Sequence, residues 1–155
     1  MRHFSSLEAL QSCVGQDIGE SDWVLIDQKR IDLFAEATGD HQWIHVDPAR
    51  AQSGPYGGTI AHGFLTLSLL PMLSAQAMKI EGTKLGVNYG LNKVRFPSPV
   101  RVNSRVRARI RLLAMEALPP LGALSGFQIT MEVTIECEGA DKPAAVVESV
   151  ARRYA

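Results

Sequence analysis

The pattern of apolar and polar positions divides the chain into a helical first half and a strand-rich second half. Residues 5–14 and 28–38 have the apolar spacing of amphipathic helices, and residues 22–26 predict a short strand between them. Asp27 is the expected N-cap of the second helix, and Gly39 is the expected stop. The first half is therefore predicted to consist mainly of helices.

The most apolar segment of the chain is residues 59–78. Apolar residues occur there at nearly every position, which predicts a helix that is buried on all sides. Thr59 is the expected N-cap. Pro71 predicts a kink or a local break, because proline cannot donate the backbone hydrogen bond at its position.

After Gly82 the period of the pattern changes to two, and Val, Ile and Thr become frequent. This change predicts four strands, at residues 84–95, 100–113, 124–138 and 144–154. Proline and glycine occupy the segments between them, so the strands are expected to form an antiparallel meander. A curved sheet wrapped around the apolar helix, an α+β fold, is the most economical arrangement.

Composition narrows the class of protein. The 155 residues fit one domain, residues 1–155, and 46% hydrophobic residues are sufficient for a full core. Sixteen basic residues balance sixteen acidic ones, which argues against binding to nucleic acid or to a membrane surface through bulk charge. The alternating Arg105, Arg107, Arg109 and Arg111 indicate a solvated strand face, or alternatively contact with an anionic ligand.

The sequence shows no recognisable targeting signal, which favours the cytoplasm. The first 16 residues do not resemble a signal peptide, and no run of about 18 apolar residues predicts a membrane span. The two cysteines, Cys13 and Cys137, have no metal-type spacing and are interpreted as free thiols in a reducing compartment. A cytoplasmic protein without a cofactor is therefore expected.

The candidate chemistry lies in the segment that follows the second helix. Residues 40–58 predict an irregular loop with one helical turn after Pro48. Asp40 and His45 are five residues apart in this loop, with His41, Gln42 and Trp43 between them. A carboxylate and an imidazole at this spacing can both reach one water molecule if the loop turns back, as acid–base catalysis of hydration requires. The same residue types are common in loops, and by themselves they favour a solvated loop in which Asp40 caps a turn.

A second candidate group is Ala61-His62-Gly63-Phe64, at the start of the apolar helix. A glycine there lets a ligand approach a free backbone N–H at the positive end of the helix. Such a donor suits a thioester carbonyl that gains negative charge. The alternative is that Gly63 only permits close helix–sheet packing, and that His62 is a structural histidine.

A metal site is a weaker interpretation of the same region. His41 and His45 are four residues apart, and Asp40, Asp47 and His62 could join them. The spacing, however, matches no zinc signature, and the nearby proline and tryptophan disrupt a helix that would align the two histidines. No metal is predicted.

These residues resemble a known family, the MaoC-like dehydratases, which include the (R)-specific enoyl-CoA hydratases. The matching segments are Ala37-Thr38-Gly39-Asp40, Ile44-His45, Asp47-Pro48, Ala51, Ile60-Ala61-His62-Gly63-Phe64-Leu65 and Val94-Arg95-Phe96-Pro97-Ser98-Pro99-Val100. Their order and spacing fit from about residue 20 to residue 154. The form Gly-Asp-His-Gln-Trp-Ile-His is similar to a subgroup related to nodulation protein N.

The resemblance implies a hot-dog fold, a homodimer in which two sheets join, and an acyl tunnel beside the central helix. It implies reversible syn addition of water to a trans-2-enoyl-CoA, which gives the (R)-3-hydroxyacyl-CoA. Asp40 and His45 would then hold and activate the water, and the N–H of Gly63 would polarise the thioester carbonyl. Gln42 and His62 are further candidates for contact with the substrate.

The chain departs from the commoner family pattern in two places. Gln42-Trp43 stands where many members have Asn-Pro, and a serine found on the central helix of some hydratases falls near Pro71 here. Two alternatives to the hydratase remain open on the sequence. One is an acyl-CoA thioesterase on the same fold, and the other is a non-catalytic acyl-binding protein.

Overall fold

In a computed structural model that describes all residues 1–155, a long curved antiparallel sheet covers two consecutive helices. The strands are β1 (Arg2–Phe4), β2 (Asp17–Glu20), β3 (Val24–Ile26), β4 (Met78–Ile80), β5 (Leu85–Arg95), β6 (Ser104–Leu121), β7 (Leu124–Cys137) and β8 (Ala145–Tyr154). The helices are α1 (Leu7–Gln11), α2 (Gln28–Thr38), α3 (Trp43–Val46), α4 (Pro48–Gln52), α5 (Gly63–Ser68) and α6 (Leu70–Ala77). None of these six helices combines the length and the apolar character that a membrane-spanning helix requires.

The main sheet has the strand order β2-β6-β7-β8-β5, and β3 pairs with the same strand as β2. The four strands predicted after Gly82 are all present, and β6, β7 and β8 form the expected meander. The meander prediction is wrong for β5, which pairs with β8 and not with β6. Alternation of apolar residues specifies which face of a strand is buried, but it does not specify the neighbouring strand.

Strand β6 continues well beyond the predicted end at residue 113. Pro119 and Pro120 were expected to mark a turn, but they lie inside β6, where the pairing with β7 skips from Leu118 to Leu121. Proline has no N–H to donate, and a bulge tolerates it because the ladder is already interrupted there. The turn itself follows at Gly122, whose φ of 62° suits glycine.

The arginine row lies on the outer face of β6, as the first of its two interpretations predicted. Its members alternate with buried apolar residues such as Val106 and Ala108, both 0% exposed. Glutamates on β2, on β7 and just after β7 pair with the row: Arg105 with Glu138, Arg107 and Arg109 with Glu20 and Glu136. These are ion pairs on a solvated surface, which contribute little to stability individually.

Helix α2 has the predicted caps. The Asp27 side chain accepts a hydrogen bond from the N–H of Arg30, and Gly39 is left-handed with φ 78°. Beyond Gly39 the predicted irregular loop, with one helical turn after Pro48, contains two short helices, α3 and α4. The turn after Pro48 is confirmed as α4, and the additional turn α3 carries His45.

The apolar segment 59–78 differs from its prediction in where the helix begins and in how completely it is buried. The helix begins at Gly63, and a break at Leu69 separates α5 from α6, with Pro71 in the first turn of α6. Thr59 does not cap the helix, since its hydroxyl donates to Gln28 Oε1 at 2.5 Å. The helices are not buried on all sides: one face is exposed, along Phe64, Ser68, Pro71 and Ala75.

The opposite face of the two helices belongs to the core. Leu73 and Ala77 are 0% exposed, and they belong to the same cluster as buried residues of β6 and β7. Strand β2 approaches α6 so closely that a Cβ at Gly19 would lie 2.6 Å from the carbonyl oxygen of Ala77. Glycine is therefore required at position 19 for the helix to pack at this distance.

Candidate active site

Three side chains from separate parts of the chain meet beside the start of α5. They are Asp40, which follows the end of α2; His45, on α3; and His62, immediately before α5. One nitrogen or oxygen atom from each lies within 4.8 Å of the other two. The left-handed turn at Gly39 redirects the chain after α2 and so brings the Asp40 side chain back towards the two rings.

His45 is held in one tautomer. Its Nδ1 lies 2.6 Å from the carbonyl oxygen of Ile60, and because a carbonyl oxygen only accepts, Nδ1 carries the proton and donates. The second nitrogen, Nε2, is therefore unprotonated in the neutral ring and can accept a proton. The residue is 6% exposed.

Burial lowers the pKa of His45 below the usual value for an imidazole, because a buried ring loses the hydration of its charged form. The hydrogen bond to Ile60 and the charge of Asp40 act in the opposite direction, and a charge on His62 would lower the pKa further. Since burial is the largest of these effects, the neutral ring is favoured near pH 7. This is the protonation state that a general base requires.

His62 supports the other two residues from within the fold. Its ring stacks on that of His45 with a centroid distance of 3.8 Å, and Phe34 packs against it at 5.0 Å. Its Nε2 lies 2.9 Å from the backbone carbonyl oxygen of Asp40 and donates to it. With only 2% of the residue exposed, its placement favours a supporting role for His62 over the substrate contact that the resemblance suggested.

One residue that the sequence did not single out, Gln28, connects α2 to this group. Its Nε2 donates to the carbonyl oxygen of His45 at 2.8 Å, and its Oε1 accepts from the hydroxyl of Thr59. Gln28 thus joins the segment that holds His45 to the segment that leads into His62. No sequence pattern marks it, because its partners lie 17 and 31 residues away.

Gln42 and Trp43 are the two residues that differ from the commoner family pattern, and the contacts of Trp43 explain its presence. Arg50 lies over the Trp43 ring at 4.4 Å, and a Cβ at Gly54 would be only 3.1 Å from the ring. Trp43 therefore joins α3 to α4 and to the turn that follows. Gln42 is exposed at the N-cap of α3, with its N–H 3.4 Å from Oδ1 of Asp40 and no capping bond from its side chain.

Gly63 is the first residue of α5, as the position of the predicted backbone donor requires. Its N–H has no hydrogen-bond partner within the chain. The ring of Phe96 lies against it, since a Cβ at Gly63 would be 3.1 Å from Cδ2 of that ring. A glycine is therefore needed for the ring to lie this close to the beginning of α5.

The three clustered side chains are also the residues that could hold a metal ion. A metal binds along the lone pair in the plane of an imidazole, but the rings of His45 and His62 are inclined by only 23° at 3.8 Å. Their lone pairs therefore lie in two nearly parallel planes, an arrangement that does not favour binding of one metal ion by both rings. His41 lies apart from the group, exposed and 3.8 Å from Glu36, and Asp47 caps α4.

A cavity of about 870 Å³ lies between the central helices and β5, and its lining begins at Leu67, one helical turn after Gly63. It is lined by one face of α5 and α6, by β5 and by β8, with Leu67, Leu70, Met78, Leu91 and Met131 among its apolar residues. Pro71, near which the resemblance placed the serine of some hydratases, lies on its wall. Its volume is in the range of pockets that hold small organic ligands.

Comparison with known proteins places this geometry in a family. A MaoC-like domain matches residues 9–119. The chain is 54% identical to 3-hydroxyacyl-thioester dehydratase Z of Mycobacterium tuberculosis over 155 residues, all of both chains. It is 49% identical to nodulation protein N of Rhizobium leguminosarum bv. viciae over 144 residues, 92% of this chain and 87% of that protein.

Among solved structures, the (R)-hydratase from A. caviae involved in PHA biosynthesis is similar with a TM-score of 0.69 and 25% identity. The similarity covers 89% of this chain and 94% of that one. The chain therefore belongs to the MaoC-like family, and its fold is the α+β hot-dog fold. It is an enzyme of the hydratase/dehydratase class.

Proposed function

We propose that this enzyme is an (R)-specific enoyl-CoA hydratase, which adds water reversibly to a trans-2-enoyl-CoA to give the (R)-3-hydroxyacyl-CoA. The observation that carries the proposal is the convergence of Asp40 and His45 beside a free backbone N–H at Gly63. The names of the dehydratase relative and of the (R)-hydratase structure support the same chemistry.

In this mechanism Asp40 and His45 hold one water molecule between them. Their polar atoms are at most 4.8 Å apart, and a hydrogen bond to water spans about 2.8 Å, so one molecule can contact both. The unprotonated Nε2 of His45 accepts a proton as the water oxygen adds to C3 of the enoyl group. The pair then returns a proton to C2 from the same side, which makes the addition syn.

Addition of water at C3 leaves negative charge on the thioester oxygen until C2 is protonated. A backbone N–H fixed at the beginning of a helix stabilises such a charge, because it is already oriented when the charge develops. Gly63 N–H is the group proposed for this role. Position 63 has no side chain, and the ring of Phe96 lies close to where a Cβ would stand.

The proposal includes a homodimer formed along β5. This strand is at the edge of the sheet and exposes the large apolar residues Leu85, Val87, Tyr89 and Leu91. An exposed apolar edge strand is a site for pairing with another chain. Light scattering on the purified protein tests this point: a mass of two chains supports it, and a stable monomer contradicts it.

Incubation with crotonyl-CoA tests the activity. Hydration removes the enoyl absorbance, releases no thiol and gives 3-hydroxybutyryl-CoA, whose configuration chiral analysis then establishes. Release of free CoA thiol would indicate the thioesterase instead, because that reaction directs water to the carbonyl carbon. No turnover of crotonyl-CoA or of longer enoyl-CoA substrates would favour a non-catalytic acyl-binding protein.

A further inference from the structure

Arg153 is a partly buried cation that the proposed chemistry does not use. It lies on β8 and lines the cavity, and none of its side-chain N–H groups makes a hydrogen bond within the chain. Its Nε is fully buried without a partner. Burial lowers the pKa of the guanidinium, although arginine remains charged at neutral pH. A charge that is partly buried without a partner lowers stability, so its position here points to a ligand that pairs with it.

The surroundings of Arg153 leave this charge unbalanced. None of the 21 residues that line the cavity is an aspartate or a glutamate. The other cation on the wall, Lys79, is already paired with Glu81 at 2.8 Å. The hydroxyl of Thr83, also on the wall, is buried without a partner. The cavity wall therefore presents unsatisfied donors and a positive charge, with no acidic residue among the residues that line it.

The backbone is shaped to hold the guanidinium at this place. Gly86, opposite Arg153 in the β5–β8 pairing, has no side chain, and a Cβ there would lie 2.8 Å from Nη1 of Arg153. The guanidinium consequently rests over the backbone of β5. Any larger residue at position 86 would have to displace it.

The end of the cavity that contains Arg153, called the far end below, is distant from the active site at Gly63. Gly63 contacts Phe96, which follows the last residue of β5, whereas Arg153 meets Gly86 near the first residue of that strand. Between the two ends run α5 and α6, residues 63–77, with a length of about 20 Å at 1.5 Å per residue. Apolar side chains such as Leu67, Leu70 and Leu91 line the space between.

We propose that the far end of the cavity binds a carboxylate at the distal end of the acyl chain, so that the preferred substrates are ω-carboxy-enoyl thioesters. The inference rests on the proposed hydratase function and specifies its substrate class. The reactive thioester lies at Gly63, the alkyl chain lies along the apolar wall, and the terminal carboxylate accepts two hydrogen bonds from the Arg153 guanidinium. A planar fork of donors matches a carboxylate in this way.

The test compares pairs of trans-2-enoyl-CoA substrates of equal length that end either in a methyl group or in a carboxylate. For wild-type enzyme we expect kcat/KM to favour the carboxylate at one chain length, where the terminal group reaches Arg153. In Arg153→Met this preference should fall by roughly tenfold to a hundredfold, the scale of a charge-assisted hydrogen bond. The methyl-ended partner should retain its rate.

Arg152→Met is the matched control. Arg152 is the neighbouring residue on β8, faces the opposite side of the sheet and has its guanidinium over Tyr89, 3.5 Å from the ring centroid. Its removal changes the net charge equally and should leave the preference for the carboxylate intact. Arg153→Lys keeps the charge but loses the fork, and it should give an intermediate preference.

Crotonyl-CoA, which is too short to reach Arg153, separates the two proposals. If crotonyl-CoA is hydrated but no chain length favours the carboxylate, the Arg153 proposal is overturned and the hydratase proposal stands. An equal loss of preference in Arg152→Met and Arg153→Met also overturns it, because the effect is then one of net charge. If crotonyl-CoA is not hydrated by the wild-type enzyme and thiol is released, the proposed function itself fails.

Discussion

The active site and the end of the cavity that contains Arg153 differ in how many of their buried polar groups have hydrogen-bond partners. At the catalytic end, Nδ1 of His45, Nε2 of His62 and the amide of Gln28 all bond to atoms of the protein itself. Nδ1 of His62 is the one buried side-chain atom of this group without a partner, whereas at the far end both Nε of Arg153 and the hydroxyl of Thr83 lack one. Internal bonds fix the geometry of the catalytic residues before a substrate arrives, whereas the far end requires a ligand to complete its bonding.

The largest expected effect is at the catalytic end. Asp40→Asn and His45→Gln should each lower the turnover of crotonyl-CoA by about a hundredfold or more, because each removes one of the two groups that activate water. Asp47→Asn and His41→Gln, in the same segment but outside the cluster, are the matched controls and should stay near the wild-type rate. Near-full activity of both Asp40→Asn and His45→Gln would refute the mechanism.

The second effect is the dependence of kcat/KM on pH. The catalytic His45 must be neutral, and burial lowers its pKa, so the rate should be constant through pH 7. It should fall about tenfold per pH unit on the acid side of a midpoint below 6.5, the usual value for an imidazole. Initial rates with crotonyl-CoA between pH 5 and 8 measure this, and an acid limb centred above 7 would contradict the assignment.

A smaller effect is expected for His62→Phe. The phenyl ring can still stack on His45, but it cannot donate to the carbonyl oxygen of Asp40, so kcat should fall by roughly tenfold with KM little changed. Because a charge on His62 lowers the pKa of His45, the acid limb should also move to higher pH. Loss of stability without these kinetic changes would show that His62 is only a packing residue.

The smallest effect concerns the far end in the absence of ligand. Arg153→Met removes a partly buried charge whose Nε has no partner, so the free energy of unfolding should rise by roughly 1 kcal/mol. Thermal or urea unfolding of the free protein measures it, with Arg152→Met as the comparison. A loss of stability in Arg153→Met would mean that the guanidinium has a partner in the folded protein. That result would contradict the proposed difference between the two ends.

Much of the fold could be predicted because it depends on neighbouring residues. The caps of α2 at Asp27 and Gly39 and the break near Pro71 each follow from the backbone chemistry of a single residue. The candidate pair Asp40 and His45 could be found for the same reason, since both lie in one short segment. The structure adds the helical turn α3, which orients His45 towards Ile60.

Other features could not be predicted because they join distant parts of the chain. The position of β5 beside β8 was missed, and so was the exposed face of α5 and α6 that this position leaves along the cavity. Gln28 was missed for the same reason. Its value to the site comes from bonds to His45 and Thr59, and nothing at position 28 itself indicates them.

The sequence by itself determined the periodicity of the strands, the ends of α2 and the presence of an acid and an imidazole near a helix start. Each of these depends on interactions within a few residues, which the local pattern records. Only the tertiary structure decided that His62 stacks on His45 and that Arg153 faces a cavity without any acidic residue. Those arrangements depend on which surfaces pack together, and packing is settled by the whole chain at once.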